Sequence, residues 1–137
     1  MTVEFVTPLV TRQIGAQRKR LEYELVAAID GALLTIPAGF ESDGASVPRV
    51  LWALYPPFGE LYEPATWLHD FCYQHAESFD EAPMTRALAD RLLYAGAIGC
   101  GFRRTGARNL WLGVRAGGWL PWRRARRRAA ATAAARE

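Results

Sequence analysis

The sequence predicts an α+β domain: a small antiparallel β element, then an antiparallel helix pair with a third helix packed on it. Three observations predict it. Up to Ile36 the apolar residues come in short, β-branched or alternating runs separated by turn signals, as in strands. From Pro64 onward they recur at helical spacing. Between these regions, Pro37 to Arg49 has no period and is rich in Gly, Ser, Asp and Pro, which marks a loop. At 137 residues and 50% apolar composition, the chain can bury one core and is too short for two.

Taken in order, Val3 to about Thr11 reads as a strand broken at Pro8, because proline cannot donate to a ladder. Gly15 to Lys19 reads as a turn. Leu21, Tyr23 and Leu25 then alternate with Glu22 and Glu24, the period of a half-buried strand. Asp30-Gly31 is a hairpin turn signal, and Ala32 to Ile36 is the returning strand, stopped by Pro37. These segments make about three strands. Pro48 opens a short helix to Leu54, and Tyr55 to Gly59 breaks it. Pro64 to about Glu77 is the first long helix, Ser78 to Pro83 a turn, and Pro83 to Ala97 the second. Thr105 to Gly117 is the third, and its Gly113 and Gly117 predict a close helix contact.

Charge divides the chain unevenly. Residues 1–101 hold 7 Lys/Arg against 13 Asp/Glu, whereas residues 102–128 hold 9 Arg and no acid. We therefore expect one domain over residues 1–118 and a basic Trp/Arg/Ala-rich tail over 119–137. That tail reads either as a solvated segment or as a contact surface for an acidic membrane, nucleic acid or another protein. No basic-then-apolar leader opens the sequence, and the longest weakly polar run falls far short of the roughly 20 residues that span a bilayer. The expected place of synthesis is the cytoplasm. Cys72 and Cys100 are too few for a disulfide framework and read as two buried thiols.

The chemistry concentrates in Trp67-Leu68-His69-Asp70-Phe71-Cys72-Tyr73. On a helix His69 and Tyr73 share a face, while Asp70 is turned about 100° away, so His69 and Asp70 need separate partners. Asp90 lies amid Ala87, Leu93, Tyr94 and Ala97 on the apolar face of the next helix, where an unpaired carboxylate is costly. A short connection makes the two helices antiparallel neighbours, so Asp90 is the expected partner of His69. Two metal readings fit poorly. No histidine precedes His69 to complete a phosphohydrolase-type His-Asp centre, and His69, Cys72, His75 and Cys100 lack zinc spacing. A third reading has all its parts. His69 would be a general base oriented by Asp90, with Asp70 and Asp43 holding a hard cation beside an ester.

His69 to Tyr73 resembles the His-Asp-x-Cys-Tyr helix motif of the phospholipase A2 superfamily. That resemblance implies a helix pair in which Asp90 holds the catalytic His69 and Tyr73 supports the site by hydrogen bonding. It also implies calcium bound through Asp70 and the loop residue Asp43, with phospholipid as substrate. The sequence departs from that family in lacking its disulfide framework, its usual glycine-rich calcium loop and a signal peptide. A longer stretch, about Phe5 to Arg115, resembles a phage and prophage family catalogued as a domain of unknown function. It carries that family's Pro-Ala-Gly-Phe-x-Ser-Asp-x-Ala-Ser-Val-Pro-Arg loop at Pro37 to Arg49, its His-Asp-x-x-Tyr helix, and its Ala-Asp-Arg helix at Ala89 to Arg91. This resemblance implies a phage-derived gene, with a phage particle, its structural proteins or a phospholipid surface as partner. Two readings therefore stand side by side. One is a phage-encoded, calcium-assisted, phospholipase A2-like ester hydrolase. The other is a non-catalytic virion component, attached to a tail or capsid through its arginine-rich end. In the second, His69, Tyr73 and Asp90 only fix helix register, Asp43 only caps a turn, and His75 is a surface or packing residue.

Overall fold

The computed structural model describes residues 1–75 and 83–136. It is α+β, with small antiparallel sheets followed by helices. Strands β1 (Val3–Phe5), β4 (Leu25–Ile29) and β5 (Ala32–Ile36) form one three-stranded sheet in the order β1-β4-β5. Strands β2 (Thr11–Gly15), β3 (Arg18–Leu21) and β6 (Glu41–Ser42) form a second, in the order β2-β3-β6. The expected Asp30-Gly31 hairpin joins β4 to β5, pairing Ile29 with Ala32. Asp30 and Gly31 both take positive φ, 49° and 86°, which is the demand that favours Asp-Gly there.

The β region is richer than the three expected strands. Leu21, Tyr23 and Leu25 do not share one strand. Leu21 ends β3, its N–H donating to the Phe40 carbonyl at 2.9 Å, and Leu25 begins β4 in the other sheet. Tyr23 lies exposed in the bend between them. The alternation was real in composition, but the bend that carries the chain from one sheet to the other falls inside it. The expected turn at Gly15 to Lys19 shrinks to two residues because Arg18 and Lys19 already pair across to Gly15 and Gln13. The loop after Pro37 is pinned by β6, where Lys19 pairs with Ser42. The helix expected at Pro48 to Leu54 is a single 3-10 turn, Arg49–Leu51.

Four α-helices follow: α1 (Glu63–Gln74), α2 (Arg86–Gly99), α3 (Arg104–Gly117) and α4 (Trp119–Arg136). Pro64 lies in the first turn of α1, where its missing N–H costs nothing. Glu63 holds that end, with Oε1 accepting the Gly59 N–H at 2.6 Å and Oε2 the Trp67 indole N–H at 3.0 Å. α1 stops at Gln74, short of the expected Glu77, because His75 turns extended. The rest of that expected end, and the turn from Ser78 up to Pro83, fall on residues 76–82, outside the described residues. α2 starts at Arg86 rather than Pro83, since the Thr85 hydroxyl caps it by accepting the Leu88 N–H at 3.1 Å.

α1 and α2 run in opposite directions: residue 65 meets 96, while 69 and 73 meet 90. Gly96 permits this, because a Cβ there would lie 3.0 Å from the Ala65 Cβ. Trp67 and Leu68 on the other flank of α1 fill the core against the sheets with Val3, Leu25 and Ile36. Burial of each such side chain is worth about 1.5–3 kcal/mol. Gly113 and Gly117 do not mediate a helix crossing. They let α3 approach Leu51 and Pro48 of the 3-10 turn. Residues 119–136 form a helix that lies on α1, with Trp122 and Ala125 against the core. Among the described residues, no helix is long and apolar enough to cross a membrane.

Candidate functional site

The start of the second turn of α2 and the last two turns of α1 bring the expected pair together. His69 and Asp90 are both fully buried, with His69 Nε2 2.7 Å from Asp90 Oδ1. The Tyr73 hydroxyl, one turn beyond His69, donates to the same oxygen at 2.6 Å. The other carboxylate oxygen, Oδ2, accepts from Arg115 Nη1 of α3 at 2.8 Å, and Arg86 Nη1 lies 3.6 Å away. Burial alone would push the Asp90 carboxyl up. The hydrogen bond and charge of His69, with the bonds from Tyr73 and Arg115, outweigh it and hold Asp90 below the ordinary carboxylate range. The same environment acts oppositely on Tyr73, whose phenol is pushed up by burial and by the charge of Asp90.

An ionised Asp90 fixes the histidine tautomer. Nε2 must carry the proton that faces Oδ1, which leaves Nδ1 as the acceptor in the neutral ring. Nδ1 lies 3.1 Å from Ser46 Oγ, whose one proton is shared between this nitrogen and the Asp70 carboxylate that also hydrogen-bonds Ser46. Ser46 comes from the loop pinned by β6. It follows Gly44, whose φ of 74° and tight approach to Pro57 exclude a side chain. Ser46, His69 and Asp90 thus form a hydrogen-bonded line from a loop hydroxyl through an imidazole to a carboxylate.

Asp70 is turned about 100° from His69 around α1, yet it shares a recess with Ser46 and Tyr73. It is buried, and its Oδ2 accepts from Gln74 Nε2 at 2.9 Å. Burial pushes its carboxyl up to about 7, and the charge of Asp43 adds to the rise. Hydrogen bonding to Ser42, Ser46 and Gln74 opposes it. Asp43 and Asp70 line one recess of about 80 Å³, together with Ser46, Tyr73 and Gln74. The structure therefore brings the two expected cation ligands to a common space. Asp43 also serves its turn, since its Oδ1 accepts the Ala45 N–H at 2.9 Å. The donor set there is two carboxylates with hydroxyls, hard oxygen ligands that suit calcium. Among the described residues, no three His, Cys, Asp or Glu side chains form a metal-binding group.

α4 supplies the remaining wall of the recess through Pro121, Arg124, Ala125 and Arg128. Trp122 meets the Tyr73 ring edge-on at 5.1 Å, and Arg126 Nη2 donates to the Tyr73 carbonyl. His75 stacks on Phe71 away from this site. Cys72 is buried, with its thiol pushed up to about 12 by burial, and Cys100 is only partly covered; both are free.

Sequence reasoning missed Ser46, Arg86 and Arg115 as members of the site. Arg86 was discoverable, because it stands at i−4 from Asp90 on the same helix. Ser46 stood in the noted loop without a role. Nothing in the local sequence around Arg115 separates it from its solvated neighbours.

A family model described as "Protein of unknown function (DUF1353)" matches residues 19–114, well over half of the chain. The match takes in Asp43, Ser46, His69, Asp70, Tyr73, Arg86 and Asp90, and it stops before Arg115 and α4. No curated protein and no solved structure matches the chain.

Proposed function

The chain belongs to the DUF1353 family, and from that premise we propose that it is a phage- or prophage-encoded carboxylic ester hydrolase of phospholipase A2-like type. The observation that carries this reading is the Ser46–His69–Asp90 line at 3.1 and 2.7 Å, with the hydroxyl facing a recess. In the sequence reading a water stood opposite the base. In the fold the nearest hydroxyl is Ser46, which makes Ser46 the nucleophile the geometry supports best.

The chemistry follows from the hydrogen bonds. Ser46 Oγ attacks the ester carbonyl carbon as its proton passes to His69 Nδ1. The C–O bond to the leaving alcohol then breaks, and His69 returns that proton to the departing oxygen. Water, deprotonated by the same nitrogen, releases the acid and restores Ser46. Asp90 stabilises the imidazolium formed at each transfer and keeps the ring in the required tautomer. Tyr73 and Arg115 keep Asp90 ionised and fixed. Calcium, held by Asp43 and Asp70, would polarise the ester carbonyl.

Fatty-acid release from phospholipid vesicles with added calcium tests this reading. His69→Asn and Ser46→Ala should each lower release about 10³-fold or more, because the members of such a line act as a unit. Equal release by wild type and His69→Asn would sink the mechanism. Full release by Ser46→Ala beside an inactive His69→Asn would return the role of nucleophile to water.

One observation favours the second reading, a non-catalytic virion component. His69 is completely buried, and the recess beside it is small and walled by α4. That reading expects the protein in purified particles at fixed stoichiometry, docked through its arginine-rich end to phage structural proteins. Particles without it would count against that role.

A further inference from the structure

α4 is attached in a way that does not suit a helix packed for stability alone. It is 18 residues long, yet none of its residues is buried. Its hold on α1 is the packing of the half-buried Trp122 and Ala125, with Trp122 edge-on to Tyr73, and the bond from Arg126 to the Tyr73 carbonyl. The Arg126 guanidinium lies over the Trp122 ring at 4.8 Å, while its Nε is buried without a partner among the described residues. Beyond Arg126 a cleft of about 610 Å³ opens between the second half of α4 and Gln74 and His75. This lightly held helix is the one that walls the recess of Ser46 and Asp70.

Its charge is equally unbalanced. Five of the six residues from 123 to 128 are arginine, α4 carries no acid, and none of these arginines ion-pairs with a carboxylate among the described residues. Such a helix complements an anionic partner. The neighbouring surface decides which kind. Trp119 and Leu120 open α4 at 51% and 40% exposure. Leu120 borders a groove with Pro48, Arg49 and Trp52, and Val50 on the 3-10 turn and Leu54 just after it are 86% and 82% exposed. Large apolar side chains bare beside arginines suit the headgroup boundary of a bilayer, where apolar and cationic groups are both satisfied. A nucleic acid would meet the arginines and leave these side chains in water.

We propose that α4 is a strap over the Ser46–Asp70 recess and that an anionic phospholipid surface removes it. Arginines of the strap bind lipid phosphates, the exposed apolar residues enter the boundary, and the contacts at Tyr73 are exchanged for lipid contacts. The proposal rests on the hydrolase reading for what the opened recess would do, but the opening itself needs no turnover.

The test uses the full chain and no substrate conversion. Ser46→Cys, checked for native circular dichroism, is alkylated with and without vesicles, and the modified cysteine is located by mass spectrometry. Vesicles containing phosphatidylglycerol should bind the protein and speed alkylation at position 46 about tenfold, as expected when a minor open state becomes dominant. Pure phosphatidylcholine should do neither, and Arg123→Glu with Arg127→Glu should abolish the effect. In the unaltered chain, backbone exchange at Tyr73 and Gln74 should rise under the same anionic vesicles, which covers failure of the cysteine variant to fold. Binding to the anionic vesicles with unchanged alkylation and exchange would overturn the strap. Stronger opening by duplex DNA than by vesicles would overturn the lipid partner, and no binding to the vesicles would overturn both.

Discussion

Asp90 and Asp70 meet the same problem, a carboxylate taken out of water, in two neighbouring settings of one site. Both are buried carboxylates. Asp90 has a histidine, a tyrosine and two arginines around it, and its carboxyl is held low. Asp70 has an amide, nearby hydroxyls and a second carboxylate, and its carboxyl is pushed up to about 7. The difference teaches where this fold is complete and where it is open. The charge of Asp90 is neutralised by the chain itself, so its position is fixed by the fold. Among the described residues no Lys or Arg forms an ion pair with Asp70, although Arg124 and Arg128 line its recess, so a cation bound between Asp43 and Asp70 would be stabilising.

The largest effect should come from breaking the completed side. Asp90→Ala leaves His69, Tyr73 and Arg115 buried without their acceptor, and urea denaturation should show a loss of about 3–5 kcal/mol. On the open side the sign reverses. The folded-state carboxyl of Asp70 lies above its unfolded value of 3.8, so its contribution is full below about pH 4 and is lost as pH rises through 7. Wild-type stability should therefore fall across that window relative to Asp70→Asn. The variant should be more stable at pH 8 by about 2–4 kcal/mol. Asp90 titrates the other way. Its depressed carboxyl stabilises the fold above the unfolded value and loses that effect as pH falls, so Asp90→Asn should flatten the acid limb of the stability profile.

Smaller effects sharpen the contrast. Calcium should raise the wild-type melting temperature at pH 8, with about 2.7 kcal/mol of stabilisation when calcium is at a hundred times its dissociation constant. Asp43→Asn should blunt that rise, and an equal rise in both proteins would remove the cation from the recess. Gln74→Ala removes one hydrogen bond from Asp70 and should cost about 1 kcal/mol at pH 8, read by the same denaturation assay.

Much of this site was legible in the sequence because a carboxylate is conspicuous on an apolar helix face. Asp90 stood among Ala87, Leu93, Tyr94 and Ala97, and the only economical partner across an antiparallel helix was His69. The arginines were harder to find. A guanidinium on a helix normally reaches water, and its long stem lets it reach a buried oxygen without any change in the apolar pattern around it. Arg115 is of that kind. The strands were misjudged for a related reason. Period-2 spacing from Leu21 to Leu25 specifies which residues alternate, but it does not register a bend that transfers the chain between sheets. The helices of the α1–α2 pair were found because their apolar stripes must be long and regular to be buried at all. Their ends moved with local chemistry, such as the Thr85 cap and the extended His75, that competes with Pro83 and the helical pattern.

The two-residue strand β6 has a kinetic consequence. It fastens the Ser46 loop to β3, and the bonds of the line from Ser46 to Arg115 span long loops of chain: 23 residues from Ser46 to His69, 21 from His69 to Asp90 and 25 from Asp90 to Arg115. Closing such loops carries its entropy cost before any contact rewards it, whereas the tight β4–β5 hairpin closes on the order of microseconds. The order of assembly is then set by topology. The local β4–β5 hairpin is favoured to form before the contacts of the site, whose two loops are nearly equal in length. The hydroxyl, imidazole and carboxylate meet only when both of these long loops are closed, so their alignment belongs to the finished fold.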